Sequence, residues 1–188
     1  SGSGKSLLAH AIMGILPGNS NVKGDIKFYG ENLTEKKLKK LRGKDISFIP
    51  QSVEFLDPLM KIGKQVIGIN GSEKKRKKLF EKYDLEDNVA DKYPFQLSGG
   101  MARRVLIATA VMNDAKLIIA DEPTPGLNIE LAMDTLKHFR DIADNGCGIL
   151  LITHDVDLAL NVADRIAVFY SGTIVEIAKV ADFIKGKD

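Results

Sequence analysis

The chain has 188 residues, enough for one ordinary domain carrying a small subdomain. With 44% hydrophobic and 28% charged residues it has the balance of a soluble globular protein, which excludes a disordered chain, and no apolar run nears the ~18 residues of a membrane span. The formal net charge of +2 gives no bulk attraction to a polyanion such as nucleic acid.

The opening "SGSGKSLL" passes from glycine and serine straight into apolar residues, as in the back half of a G-x-x-x-x-G-K-[ST] phosphate-binding loop. Glycines let successive N–H groups turn into one concavity. Apolar spacing predicts a helix over 5–16, whose N-terminus favours an anion. Lys5 would place a point charge on β- and γ-phosphates, and Ser6 would offer a hydroxyl to Mg2+. Pro17-Gly18 stops that helix, and "GDIKFYG" at 24–30 predicts a short alternating strand between glycines. A charged helix over 34–43 and a buried strand over 45–51 follow. From about Leu56 to Met112 the pattern is almost wholly helical, carried by "MKIGKQVIGI", "SEKKRKKLFEKYDL" and "GGMARRVLIATAVM".

The remainder alternates. Strands are predicted at 116–121, 148–155 and 166–170, and helices at 129–144 and over "DLALNVADR", with "SGT" turning into a last run, "IVEIA". Cys147, the single cysteine, forms no internal disulfide and supports no zinc site; ahead of the run "GILLIT" it reads as a small buried side chain. Short apolar runs between amphipathic helices imply an α/β fold with a mostly parallel sheet covered on both faces. Ligands of such sheets bind beyond the carboxyl ends of the strands. Those ends read "IPQ", "ADEPT" and "ITHD". Asp121 and Glu122 close an apolar run, the first suited to Mg2+ through water and the second to orienting the water that attacks a terminal phosphate. By itself an apolar run ending in Asp-Glu serves equally to cap the next helix.

A second turn of anion-binding kind, in "FQLSGGMARRVLIATAVM", again opens a helix. Two such sites on one chain make sense if the second serves a nucleotide held by another copy. With Leu97-Ser98-Gly99-Gly100-Met101 as a signature, Gln51 after a strand, Asp121-Glu122, and His154 after the next strand, the chain resembles the ATP-binding cassette (ABC) ATPases over essentially its whole length. That resemblance implies a P-loop NTPase fold, RecA-like, in a single domain 1–188: a core of 1–52 and 113–188, and an inserted helical subdomain of 53–112. It further implies that Ser1, Gly2, Ser3, Gly4, Lys5, Ser6 and Leu7 cradle the phosphates of ATP, with Ser6, Gln51 and Asp121 around Mg2+. Glu122 would be the general base, Gln51 would sit by the attacking water and His154 would contact the γ-phosphate. Ser98, Gly99 and Gly100 would close over the ATP of a second cassette, identical or paralogous, and closure would drive transmembrane permease subunits.

Departures from the family pattern carry expectations of their own. "PTPGLN" ends in Asn128 where the family usually has aspartate, which keeps the hydrogen-bonding shape and loses the charge. The family's N-terminal strands, the aromatic that stacks on adenine and the first loop glycine are missing, so the chain is expected to start part-way into the cassette. "SGSGKS", "IMGILP", "LDPLMKIGKQV" and "LSGGM" resemble the importer ATPases for oligopeptides, dipeptides and nickel. The short stretch after "GTIVEIAKVADFIKG" leans towards nickel. A substrate-binding protein would then be an indirect partner, and the location cytoplasmic, peripheral on the inner face of the cell membrane. Phe55, Leu56, Met60 and Ile62 are candidates for touching the permease, or else subdomain core.

The alternative is a non-transport ABC ATPase acting on DNA or ribosomes, with "EKKLKKLRGK" and "SEKKRKKLFEK" as phosphate contacts. Interspersed Glu and Leu make both runs solvated helix faces, so no nucleic-acid partner is expected. His10 and His138 read as structural or exposed, and Tyr83, Tyr93 and Phe95 as subdomain core.

Overall fold

The computed structural model describes residues 4–186. These form two compact units, one of 43–151 and one that combines the stretches before and after it.

In the 43–151 unit, β3 (Ile46–Ile49), β4 (Leu117–Asp121) and β5 (Gly148–Ile152) form a three-stranded sheet in that order. β3 and β4 run parallel, with Ile46 opposite Leu117 and Ile49 opposite Ala120. Consequently both strands end at the same level, and Pro50-Gln51 leaves the sheet beside Asp121-Glu122. Ile118, Ile119 and Ala120 in the centre are buried; Ile149, Leu150 and Leu151 of the edge strand are only half-buried. Parallel strands with residues of this kind need cover on their faces.

The three helical runs expected here correspond to α3 (Ile62–Ile67), α4 (Glu73–Lys82) and α5 (Gly99–Met112), joined by turns and 3-10 segments. Gly68, at φ 55, ends α3 in a conformation that side chains resist, and Pro94 interrupts the approach to α5. α5 is the centre of this unit: Val105, Ile107 and Ala108 are fully buried, and it packs against β3, α3 and α4. A side chain the size of Val105 or Ile107 is worth about 1.5–3 kcal/mol on burial. Arg76 of α4 is also buried, paired with Glu73 and Asp87 and stacked over Phe80, so part of the basic run faces inward. α6 (Ile129–Asp144) spans the predicted residues, opened by Asn128, whose side-chain oxygen accepts from the Leu131 N–H at 2.8 Å.

The other unit contains α1 (Lys5–Met13), a hairpin of β1 (Lys27–Phe28) and β2 (Glu31–Asn32), α2 (Glu35–Leu41), α7 (Val156–Val162), an antiparallel pair β6 (Arg165–Tyr170) and β7 (Thr173–Lys179), and α8 (Val180–Ile184). The strand predicted over 24–30 is thus a hairpin. Tyr29 and Gly30 both take positive φ, which makes the turn inside what alternation alone reads as one strand. Ser171 and Gly172 do the same between β6 and β7, where a turn was expected.

Candidate functional site

Gly4 precedes α1 at φ 91, a left-handed conformation open to glycine, and supplies no side-chain cap. Gly4 thus brings no N-cap side chain to α1, and no acidic residue occupies its first turn. An anion suits such a terminus. Lys5 and Ser6 are half-buried there and Leu7 is exposed. Ser1, Gly2 and Ser3 lie outside the described residues.

The first turn of α5, like that of α3, also lacks an acidic residue, whereas α2, α4, α6, α7 and α8 each carry one. Ser98 accepts from the Met101 N–H at 3.2 Å and, being a hydroxyl, still has its proton to donate. Ser98 and Gly99 are exposed, and nothing lies within 4 Å of a Cβ added at Gly99. Gly100 differs: a Cβ there would meet the Gly126 carbonyl at 3.1 Å, so the loop before α6 approaches the signature turn closely. Asn128, noted for its missing charge, is occupied as the N-cap of α6.

At the strand ends, Asp121 is 1% exposed and Glu122 9% exposed. Glu122 adopts φ 48, strained for a residue with a side chain, at the point where the chain leaves β4. Asp121 Oδ1 is buried and has no hydrogen-bond partner among the described residues. An orphaned buried carboxylate oxygen is costly unless a ligand meets it, and a hard, oxygen-seeking cation such as Mg2+ fits it. No cluster of acidic, histidine or cysteine side chains among the described residues could hold a metal unaided. Mg2+ does not require one, since it takes one or two carboxylates plus substrate phosphates. Gln51 follows β3 with an exposed side chain. His154 is exposed in a turn where Thr153 Oγ1 accepts the Asp155 N–H at 3.0 Å and Asp155 caps α7.

One buried residue here escaped the reading of the sequence. Arg103, 8% exposed on α5, donates through Nη1 to the Pro50 carbonyl at 2.7 Å and through Nη2 to the Gln51 carbonyl. Burial holds its guanidinium below the ordinary value, and the charges of Asp121 and Glu122 work the other way. The available signal was the pair Arg103-Arg104 on an otherwise apolar helix, which does not say which of the two is buried.

The apolar candidates divide. Leu56 and Ile62 are buried and belong to the core of the unit; Phe55 is 54% and Met60 40% exposed, and neighbouring Leu59 reaches 87%. Gln65 holds this tip from below, accepting the Asp57 N–H at 2.9 Å and donating to the carbonyls of Asp57 and Met60. Tyr83 is core as expected, while Phe95 is exposed and stacks on Tyr93. Cys147 is half-buried rather than fully buried.

An α/β protein whose helices open on Gly-Lys-Ser and Ser-Gly-Gly turns, with a buried Asp-Glu pair closing a parallel strand, is of the P-loop nucleotide-binding class. Residues 1–125 match the ABC transporter family. The oligopeptide transport ATP-binding protein OppD of Bacillus subtilis (strain 168) is 37% identical over 198 residues, covering 96% of this chain and 55% of OppD. The metal-staphylopine import system ATP-binding protein CntD of Staphylococcus aureus (strain NCTC 8325 / PS 47) is 38% identical over 192 residues, covering 94% of this chain and 71% of CntD. Among solved structures, the dimeric bacterial ABC transporter cassette MJ0796 superposes with a TM-score of 0.83 at 27% identity, over 96% of this chain and 82% of that one. The post-hydrolysis dimer of the same cassette, bound to ADP and Pi, gives 0.82 at 25% identity, over 95% and 82%. The chain belongs to the ABC transporter family and is a nucleotide-binding cassette of it. It spans about half the length of OppD.

Proposed function

We propose that this chain is the ATP-hydrolysing subunit of an ABC importer, and that its permease carries peptides or a metal complex such as nickel's. The observation that carries the proposal is the buried Asp121-Glu122 pair closing β4 beside Gln51, with Asp121 Oδ1 left for a ligand. The likeness to an oligopeptide and a metal-staphylopine importer protein supports the choice of cargo. Among the described residues no helix is long and apolar enough to cross a membrane.

In this reading the loop Ser1 to Leu7 binds the triphosphate, with Lys5 on the β- and γ-phosphates. Ser6, Gln51 and Asp121 would hold Mg2+, which when bound neutralises phosphate charge. Glu122 takes the proton of the attacking water and His154 contacts the γ-phosphate. Ser98, Gly99 and Gly100 present a helix N-terminus to the nucleotide of a second cassette, alike or paralogous. The exposed tip Phe55, Leu59 and Met60 meets the permease at the inner face of the membrane, and a substrate-binding protein delivers cargo from the other side. The domain division expected from sequence, a core of 1–52 and 113–188 with the helical subdomain 53–112 between, goes with this reading.

The test is Mg2+-dependent ATP hydrolysis by the full chain with its partner cassette, beside Lys5→Ala. Hydrolysis that Lys5→Ala abolishes supports the reading; a folded pair that neither binds nor hydrolyses ATP sinks it.

A further inference from the structure

Arg103 lies on the helix that the signature turn opens, yet both of its resolved hydrogen bonds go to another element. Nη1 and Nη2 reach the carbonyls of Pro50 and Gln51, two consecutive peptide units just beyond β3. A guanidinium is a rigid planar fork, so gripping adjacent carbonyls sets the orientation of the backbone as well as its distance. Carbonyls just past a strand end have no further ladder partner to claim them. The register of the sheet puts this grip beside the carboxylates: Ile49 pairs with Ala120, so the next residues on each strand are Pro50 and Asp121. Burying an arginine at this depth is expensive without compensation. Here two carbonyls and two neighbouring carboxylates provide it, while Nε stays without a hydrogen-bond partner among the described residues.

We propose that Arg103 is a positioning residue for ATP hydrolysis: its fork carries the signature helix α5 directly to the backbone of Gln51 and so fixes where the Gln51 side chain departs. The idea rests on the ATPase reading above and adds to it a residue that touches neither nucleotide nor metal. It also gives the Gln51 loop a direct mechanical tie to the helix that begins at Ser98. A lysine cannot reproduce this contact, since an ammonium on a flexible stem is a point charge rather than a fork.

The experiment compares wild type, Arg103→Lys and Arg103→Met in the full chain assembled with its partner cassette. Two quantities are read: steady-state ATP hydrolysis, and amide hydrogen exchange over residues 50–56. Loss of the fork is expected to speed exchange there by about tenfold or more in both variants. Misplacing Gln51 is expected to lower kcat by roughly 10- to 100-fold, with KM for ATP within about threefold because the nucleotide contacts are untouched. Arg103→Lys retains the charge, so wild-type kcat and exchange in that variant would show that charge suffices and overturn the proposal. Faster exchange with unchanged kcat would make Arg103 merely structural and overturn it too. Should Arg103→Met fail to fold, Arg103→Lys carries the test. If the wild type itself hydrolyses no ATP, the function reading falls, and unchanged exchange over 50–56 would overturn the Arg103 link separately.

Discussion

Tyr83 and His138 share a 2.5 Å hydrogen bond between Oη and Nδ1, tying the residue that ends α4 to the middle of α6. Burial, with Lys82 nearby, lowers the His138 pKa to about 4, against a weaker opposing pull from Asp141; burial pushes the Tyr83 phenol up. The imidazole is therefore neutral at pH 7, and its tautomer sets which of the two groups donates across this bond. A cavity of about 240 Å³ adjoins the pair, lined also by Asp134, Thr135 and Lys137.

This pair makes stability depend on pH. The folded-state pKa of His138 lies below its unfolded value of 6.5, so the unfolded chain binds more protons between the two. The contribution is whole above about pH 6.5, falls as pH drops through that window and is gone below about pH 4. Allowing for partial solvent access, it amounts to roughly 2 kcal/mol. Urea unfolding of wild type and His138→Gln at pH 7.5 and pH 4.5 measures it. The wild type should lose more stability on acidification than the variant; equal losses would remove His138 as the cause. Tyr83→Phe should cost about 1 kcal/mol at pH 7.5.

Glu122→Gln keeps the shape of the side chain and removes its basicity. Turnover should fall by at least about 100-fold, while ATP-bound cassette pairs accumulate and are seen by size-exclusion chromatography. Unchanged turnover would remove Glu122 as the base.

Gly99 offers a test in which stability and activity move in opposite directions. A Cβ added at Gly99, the first position of α5, meets nothing within 4 Å, and an aspartate there adds a negative charge to a first turn without acidic residues. Gly99→Asp should thus leave stability unchanged or raise it by about 0.3–1 kcal/mol. The same charge repels a phosphate brought by the second cassette, so ATP-dependent pairing and turnover should drop sharply. A variant that is stable and fully active would remove Gly99 from the nucleotide interface.

Leu56 and Leu59 are near neighbours in sequence with opposite expected effects. Leu56 is 5% exposed, and Leu56→Ala should cost about 2–5 kcal/mol. Leu59 is 87% exposed, and Leu59→Ser should change stability by no more than about 0.5 kcal/mol. If the tip docks on the permease, Leu59→Ser should nevertheless weaken co-purification with it; undiminished capture would move the docking site elsewhere.

Elements governed by neighbours a few residues away were legible without a structure. The helix over 129–144 has the predicted ends because its apolar spacing, the Asn128 cap and Asn145-Gly146 are all local signals. The strand ends at Gln51, Asp121 and His154 were legible for the same reason, as were the Gly-Lys-Ser and Ser-Gly-Gly turns that open α1 and α5. Local periodicity misled where turn chemistry lay inside an alternating run, as at Tyr29-Gly30.

Only the tertiary structure decided which residues meet. Nothing in the spacing of Arg103 from Pro50, or of Tyr83 from His138, marks those pairs, because their contacts follow from how α5 lies on β3 and where α4 ends. Nor does composition separate buried Leu56 from exposed Leu59, or buried Tyr83 from exposed Phe95. The sequence determined the elements and the order of the motifs through short-range backbone and side-chain preferences. Burial, and the partners of each buried polar group, were set by long-range packing, which those preferences do not encode.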